Sequence, residues 1–178
     1  MEPVGPLMIE HRLIERMIDL LKREHSRLSK DNRVNARFID HAVDFIRTYA
    51  DRCHHGKEED ILFKQLTEKQ LSPEHLSIME ELVKEHAHAR TLTNALAEAN
   101  ERYVDGEERA MFEIKIKLEE LIAFYPPHIE KEDKHFFLPC MKYFSDDEKR
   151  DMLEQFIEAD RKIIHETYDK LVKKLEKE

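Results

Sequence analysis

Residues 7–28 read LMIEHRLIERMIDLLKREHSRL. Leu7, Ile14, Ile18, Leu21 and Leu28 return in alternating steps of four and three, and His11 and His25 fill the two remaining steps of the same stripe. That spacing is the period of an α-helix with one buried face, since a strand would alternate every second residue. An aliphatic seam interrupted by imidazoles is the feature from which the rest of the chain is read.

Four further segments carry helical patterns. After the polar turn Ser29-Lys30-Asp31-Asn32-Arg33, a second helix runs to about Gln65, with Ile39, Val43, Ile46, Ala50, His54 and Ile61 on one face. Ser72-Pro73 supplies an N-cap and a first-turn proline for a third helix, which Asp105-Gly106 ends. A fourth begins near Glu107 and meets Pro126-Pro127, where two missing backbone donors predict a kink; Pro139 stops it. Ser145 and Glu148 form a capping-box pattern that opens a fifth helix, of about 146–176. Short turns between long amphipathic helices predict an all-α fold: an up-down-up-down four-helix bundle over about 7–139 with an additional C-terminal helix, in one domain spanning 1–178.

Composition agrees and narrows function. Three glycines, no tryptophan and 39% charged residues suit helices rather than sheets. A net charge of −9 argues against nucleic acid and against an anionic membrane surface. No apolar run reaches the roughly 18 residues of a membrane span, and Met1 to Leu7 lacks the pattern of a signal peptide. Two cysteines 87 positions apart make neither a disulfide framework nor a zinc quartet, so a reducing cytoplasm is expected. Eleven histidines are the unusual component.

Residues at equal height in an antiparallel hairpin have nearly constant summed numbers. A first turn near residue 32 sets His54 level with about residue 10, next to His11, and leaves His25 roughly 20 Å away. The second turn, near residue 71, sets His54 and Glu58 level with about residues 88 and 84, on either side of His86. The third, near residue 106, sets His86 level with about residue 126, within one turn of His128. On the second helix Glu58 stands four after His54, and on the fourth Glu132 stands four after His128, so each pair shares a face. His55 and Glu59 read as a separate pair, rotated about 100° off the buried stripe.

The candidate constellation is His11, His54, Glu58, His86, His128 and Glu132. Buried carboxylates at this density need compensating positive charge, and metal ions supply it. Imidazole with carboxylate suits iron, and also zinc, manganese or copper. Six protein ligands are too many for one ion and fit two, each with two imidazoles and two carboxylate oxygens, leaving room for a bridging oxygen and an open position.

The segments Glu10-His11, HHGKEEDILF (54–63), Glu85-His86 and HIEKEDKHFFLP (128–139) resemble the hemerythrin-like, HHE cation-binding family over about residues 8–139. The resemblance implies a four-helix bundle around a non-haem centre of two iron ions bridged by Glu58 and Glu132. It also implies a small diatomic or peroxide ligand such as dioxygen, nitric oxide or peroxide, and it is compatible with carrier, sensor, repair or enzymatic roles. Oxygen-carrying members have five histidines, with HxxxH on the third helix, and an aspartate five after the last histidine. Here Arg90 stands four after His86, and Glu132 is read as the last carboxylate. The four-histidine, two-glutamate set is closer to members implicated in repairing iron–sulfur centres.

Other residues have plainer readings. His25 reads as a hydrogen-bonded core histidine, His135 as a residue on the face of His128 and Glu132, and His88 as solvent-facing. Cys53 reads as a small buried hydrophobe, and Tyr49 and Tyr125 as core aromatics. Arg90 is either a surface residue or a positive charge placed where a fifth histidine would stand. Two other functions fit parts of the pattern. A ferritin-like iron oxidase uses ExxH, matched by Glu85/His88 and Glu132/His135. An iron- or oxygen-responsive adaptor would use the apolar stripe Ile163, Ile164, Tyr168, Leu171, Val172 and Leu175 of the last helix to meet a partner.

Overall fold

The computed structural model describes residues 2–175, with side chains described through Ile163. All regular structure among the described residues is helical. Helix α1 is Val4–Asp31, α2 occupies 36–66, α3 is Pro73–Val104, α4 occupies 110–140 and α5 is Asp146–Leu175. The stripe Ile164 to Leu175 lies outside the described side chains. No helix is long and apolar enough to cross a membrane among the described residues.

Local sequence signals explain the ends. The Ser72 hydroxyl accepts from His75 N ahead of Pro73, and Val104 is followed by Gly106 at φ 99. Asn32, rather than the predicted turn over 29–33, ends α1, with a left-handed φ of 47. Glu24 then becomes the buried acid of that turn, holding Arg27 and the Asn35 N–H. His25, read as a core residue, instead reaches Glu119 at 2.7 Å from a half-buried position. At the far end of α1 the buried positions are Leu21, Glu24 and Leu28, so residue 24 rather than residue 25 takes the inner place there.

At the start of α5, Ser145 Oγ accepts from Glu148 N, and Glu148 Oε2 accepts from Ser145 N at 2.8 Å. Lys69 and Ser145 hold the Glu148 carboxyl down to about 2. A depressed carboxylate contributes above its ordinary value and loses that contribution as pH falls through its folded one. Acidification from about pH 5 to 2 is therefore expected to fray the first turn of α5 before the rest. Amide exchange at Glu148 and Lys149 measures it, and exchange no faster at pH 2 than at the helix middle would contradict the expectation.

Three departures from the α-helical ladder, two in α2 and one in α4, decide what reaches the interior. Residues Ile46–His55 and Glu58–Phe63 of α2 are π-helical, as are Glu132–Phe136 of α4. The helix runs on through Pro126 and Pro127 to Lys131, and the widened turn follows them.

The apolar core falls into two clusters. One contains Ile14, Ala50, Leu118, Leu121, Tyr125 and Ile129; the other contains Leu7, Leu62, Phe63, Leu82, Phe136 and, from α5, Met152 and Phe156. His11 stands between Leu7 and Ile14, and His54 between Ala50 and Leu62. A polar layer therefore separates two hydrophobic ones.

Candidate metal centre

The polar layer gathers every residue of the sequence-derived constellation. His11, His54, Glu58, His86, His128 and Glu132 are all buried, none more than 2% exposed. They join one residue assigned elsewhere by helical spacing: His55, 1% exposed, whose ring stacks on His86 at 3.9 Å and 12°. The reason is the π-helical stretch that ends at His55. A helix with i→i+5 bonds turns less than the roughly 100° per residue of an α-helix, so consecutive side chains diverge less and both His54 and His55 reach inward.

The side chains sort into two groups close enough to hold a cation each: His11, His54, Glu58 and Glu132 in one, His55, His86 and His128 in the other. The carboxylates face both. Glu58 Oε1 lies 3.2 Å from His54 Nε2, and its Oε2 lies 3.3 Å from His86 Nε2. Glu132 Oε2 lies 3.1 Å from His11 Nε2, while its Oε1 is 3.4 Å from both His86 Nε2 and His128 Nε2. Each glutamate thus spans from one group to the other.

Behind the imidazoles stands a ring of carboxylates. Glu10 on α1 accepts from His54 Nδ1 on α2 at 2.8 Å, and Glu59 on α2 from His86 Nδ1 on α3 at 2.7 Å. Glu85 on α3 accepts from His128 Nδ1 on α4 at 2.8 Å, and Asp133 on α4 from His11 Nδ1 on α1 at 2.7 Å. Each helix orients the imidazole of the next, and the circuit closes. The fifth imidazole has Asp51 3.3 Å from its Nδ1. Basic residues back the acids in turn: Arg12 on Asp133, Lys57 on Glu10, Lys131 on Glu85, and Arg90 on both Glu59 and Asp51. Glu59 therefore serves His86 rather than His55, and Arg90 holds the partners of two imidazoles together.

This arrangement fixes tautomers. An ionised carboxylate only accepts, so each Nδ1 that meets one carries a proton, and each Nε2 turns a lone pair inward. His54 Nε2 and His11 Nε2 then lie 2.8 Å apart, lone pair to lone pair. Both oxygens of Glu58, Oε2 of Glu132 and Nε2 of His128 are buried without a hydrogen-bond partner. Acceptors converging on acceptors in a buried layer call for cations. Protonation is one answer. Burial opposes it, yet Glu58 and Glu10 raise His54 to about 10, and Glu132, Glu59 and Glu58 raise His86 to about 9. His55 goes the other way: burial and the neighbouring His86, His54 and His128 push it well below the ordinary range, leaving a neutral ring. Metal ions meet the same demand, and imidazoles whose far nitrogen donates to carboxylate are the usual arrangement of metal-binding histidines.

Several secondary readings change. His135 is exposed, because the π-helical turn Glu132–Phe136 rotates it off the face of Glu132. His88 is exposed, as expected, so both histidines of the ExxH strings point away from the centre. Asp133, the aspartate five after His128, holds His11 from behind while Glu132 faces inward. Cys53 is half-buried against Asp160, at 3.1 Å, rather than on an apolar face. Tyr125 is a core aromatic, with its hydroxyl buried and unpartnered.

A family model described as the hemerythrin HHE cation binding domain matches residues 3–138. Neither the search of curated proteins nor that of solved structures gave a match.

Proposed function

We propose, from the premise that this chain belongs to the hemerythrin HHE cation-binding domain family, that its polar layer holds two iron ions and presents them to a small molecule. The observation that carries the reading is the double orientation of the side chains. Five imidazoles have a carboxylate at Nδ1 and turn Nε2 inward, around two glutamates whose oxygens divide between two groups. His11 and His54 would hold one ion, His55, His86 and His128 the other, with Glu58 and Glu132 shared.

The ring of carboxylates passing from α1 to α4 and back supports the alternating up-down-up-down bundle, because each acid must lie level with an imidazole on the neighbouring helix. Mixed imidazole and carboxylate donors suit iron. Bound iron would supply redox-active, Lewis-acidic positions for dioxygen, nitric oxide or peroxide. The protein's own contribution is to orient the donors, keep water out and balance charge. A cavity of about 190 Å³ lies against His55, lined also by Asp51, Ala89, Arg90 and Tyr125, a size that favours a small ligand.

The test is metal analysis of full-length protein purified without a metal-affinity tag and loaded anaerobically with ferrous iron. Two irons per chain, followed by a visible absorption change on adding dioxygen or nitric oxide, is the expected result. Failure to bind iron would overturn the assignment of iron, and failure to bind zinc as well would overturn the metal reading. Two irons with no response to any of the three small molecules would overturn the ligand reading alone.

A further inference from the structure

Of the four basic residues behind the carboxylate ring, Arg12, Arg90 and Lys131 reach in from the surface, and each is at least 21% exposed. Lys57 differs. It is 1% exposed, and its second partner comes from outside the residues matched by the family model. Its Nζ donates to Glu10 Oε1 and lies 2.8 and 3.0 Å from the two oxygens of Asp160, on α5. Glu10 uses its other oxygen to accept from His54 Nδ1. A continuous chain therefore runs from the C-terminal helix to an inward-facing imidazole: Asp160, Lys57, Glu10, His54.

A buried ammonium is tolerated only with anionic partners, and here it has two that compete for it. The share of its charge drawn by Asp160 is not available to neutralise Glu10. Glu10 in turn determines how strongly the Nδ1 proton of His54 is held, and hence how much electron density His54 Nε2 offers a cation. Glu10, Cys53 and Asp160 lie close enough together to suggest a separate cation site. Lys57 already fills that role, since its ammonium contacts both carboxylates.

We propose that Asp160 is a positioning residue of the metal centre, acting through Lys57 and Glu10 on the imidazole of His54, and that the C-terminal helix is thereby part of the site. The proposal rests on the metal reading above. With Asp160 neutral, Lys57 leans on Glu10 alone, Glu10 pulls less on the His54 proton, and His54 binds a cation less well. With both Asp160 and Lys57 neutral, Glu10 turns its full charge on His54, and binding recovers. The two changes act in opposite directions, which a purely structural brace would not produce.

The experiment uses zinc, which is redox-silent and diamagnetic, on the full chain. Competition against a chelator gives the affinity, and the His54 Nδ1–H resonance of the zinc-loaded protein gives the hydrogen-bond strength. Asp160→Asn is expected to weaken zinc binding about tenfold, the low end for groups that support a metal-bound histidine, and to move that resonance upfield. Asp160→Glu should restore both. The double variant Asp160→Asn with Lys57→Met should return affinity to the original level or above. An unchanged affinity in Asp160→Asn overturns the proposal. So does a double variant weaker than the single one, which would mark the network as a brace. A parent protein that binds no zinc and no iron would remove the metal reading, and the proposal with it; normal loading with either of the preceding results removes the proposal alone.

Discussion

Glu132→Gln is expected to bind less than one tenth of the metal taken up by the parent protein, and Glu58→Gln to behave the same way. Both changes conserve volume, so packing between the two apolar clusters is kept. What is lost is the anion. Glu132 Oε1 and Oε2 sit 3.1–3.4 Å from the inward nitrogens of His11, His86 and His128, and a glutamine would present an amide NH₂ to one of those lone-pair groups. The amide donates to imidazole instead of sharing a cation with it, and the carboxylate that spans both groups is gone. Either substitution therefore weakens both positions at once. Glu130→Gln is the control, since Glu130 is exposed and pairs with Lys134. Metal analysis after anaerobic loading gives the direct measure, and thermal unfolding gives a second. A ligand present at a thousand times its dissociation constant stabilises the folded chain by about 4 kcal/mol per site. The parent protein and Glu130→Gln should gain that on adding ferrous iron, and the two inner variants should not. A Glu132→Gln protein loaded with two ions would contradict the assignment.

How much of this the sequence discloses follows from helix geometry. The α-helical period was sufficient wherever the helix is α-helical: it brought His11, His86 and His128 to the same layer. The i, i+4 spacing also put each inner glutamate beside its histidine. Capping signals at Ser72, Gly106 and Ser145 located the turns. The errors cluster where the backbone widens. For His55 and His135 the sequence spacing implies about 100° per residue across stretches that do not turn by that amount. The α-helical spacing puts His55 off the buried stripe and His135 on the face of Glu132, whereas the structure buries His55 and exposes His135. The carboxylates behind the imidazoles were hidden for another reason. Glu10 adjoins His11 in the chain but serves His54, and Glu85 adjoins His86 but serves His128. Adjacent residues on a helix point about 100° apart, so such an acid faces the neighbouring helix. Pairing of that kind requires the packing as well as the spacing. The link from Lys57 to Asp160 bridges more than a hundred residues and has no local signature at all.

His55 then decides between a set of four imidazoles and a set of five. His55→Gln is expected to lower iron content from two ions per chain toward one, because the group formed with His86 and His128 loses one of its three imidazoles while the group of His11, His54 and the two glutamates stays intact. Removing a direct donor should weaken that position by more than the roughly 10- to 100-fold seen when a residue behind a ligand is lost. A bland alternative exists: His55 as an aromatic filler, stacked on His86 at 3.9 Å. His55→Phe separates the two. It retains a flat ring of similar depth in the layer and supplies no lone pair, so a filler role predicts two ions per chain, whereas a ligand role predicts the same loss as in His55→Gln. Burial and the neighbouring imidazoles of His86, His54 and His128 push the proton affinity of this ring down, which leaves it neutral with a lone pair to offer. His135→Gln, at an exposed position, should retain both ions. The outcome bears on chemistry as well as on stoichiometry. Three imidazoles on one side and two on the other would make the two positions unequal, and on the proposed function a small molecule would bind at whichever position its donors leave open. Two ions in His55→Phe would return the centre to the symmetric four-imidazole set.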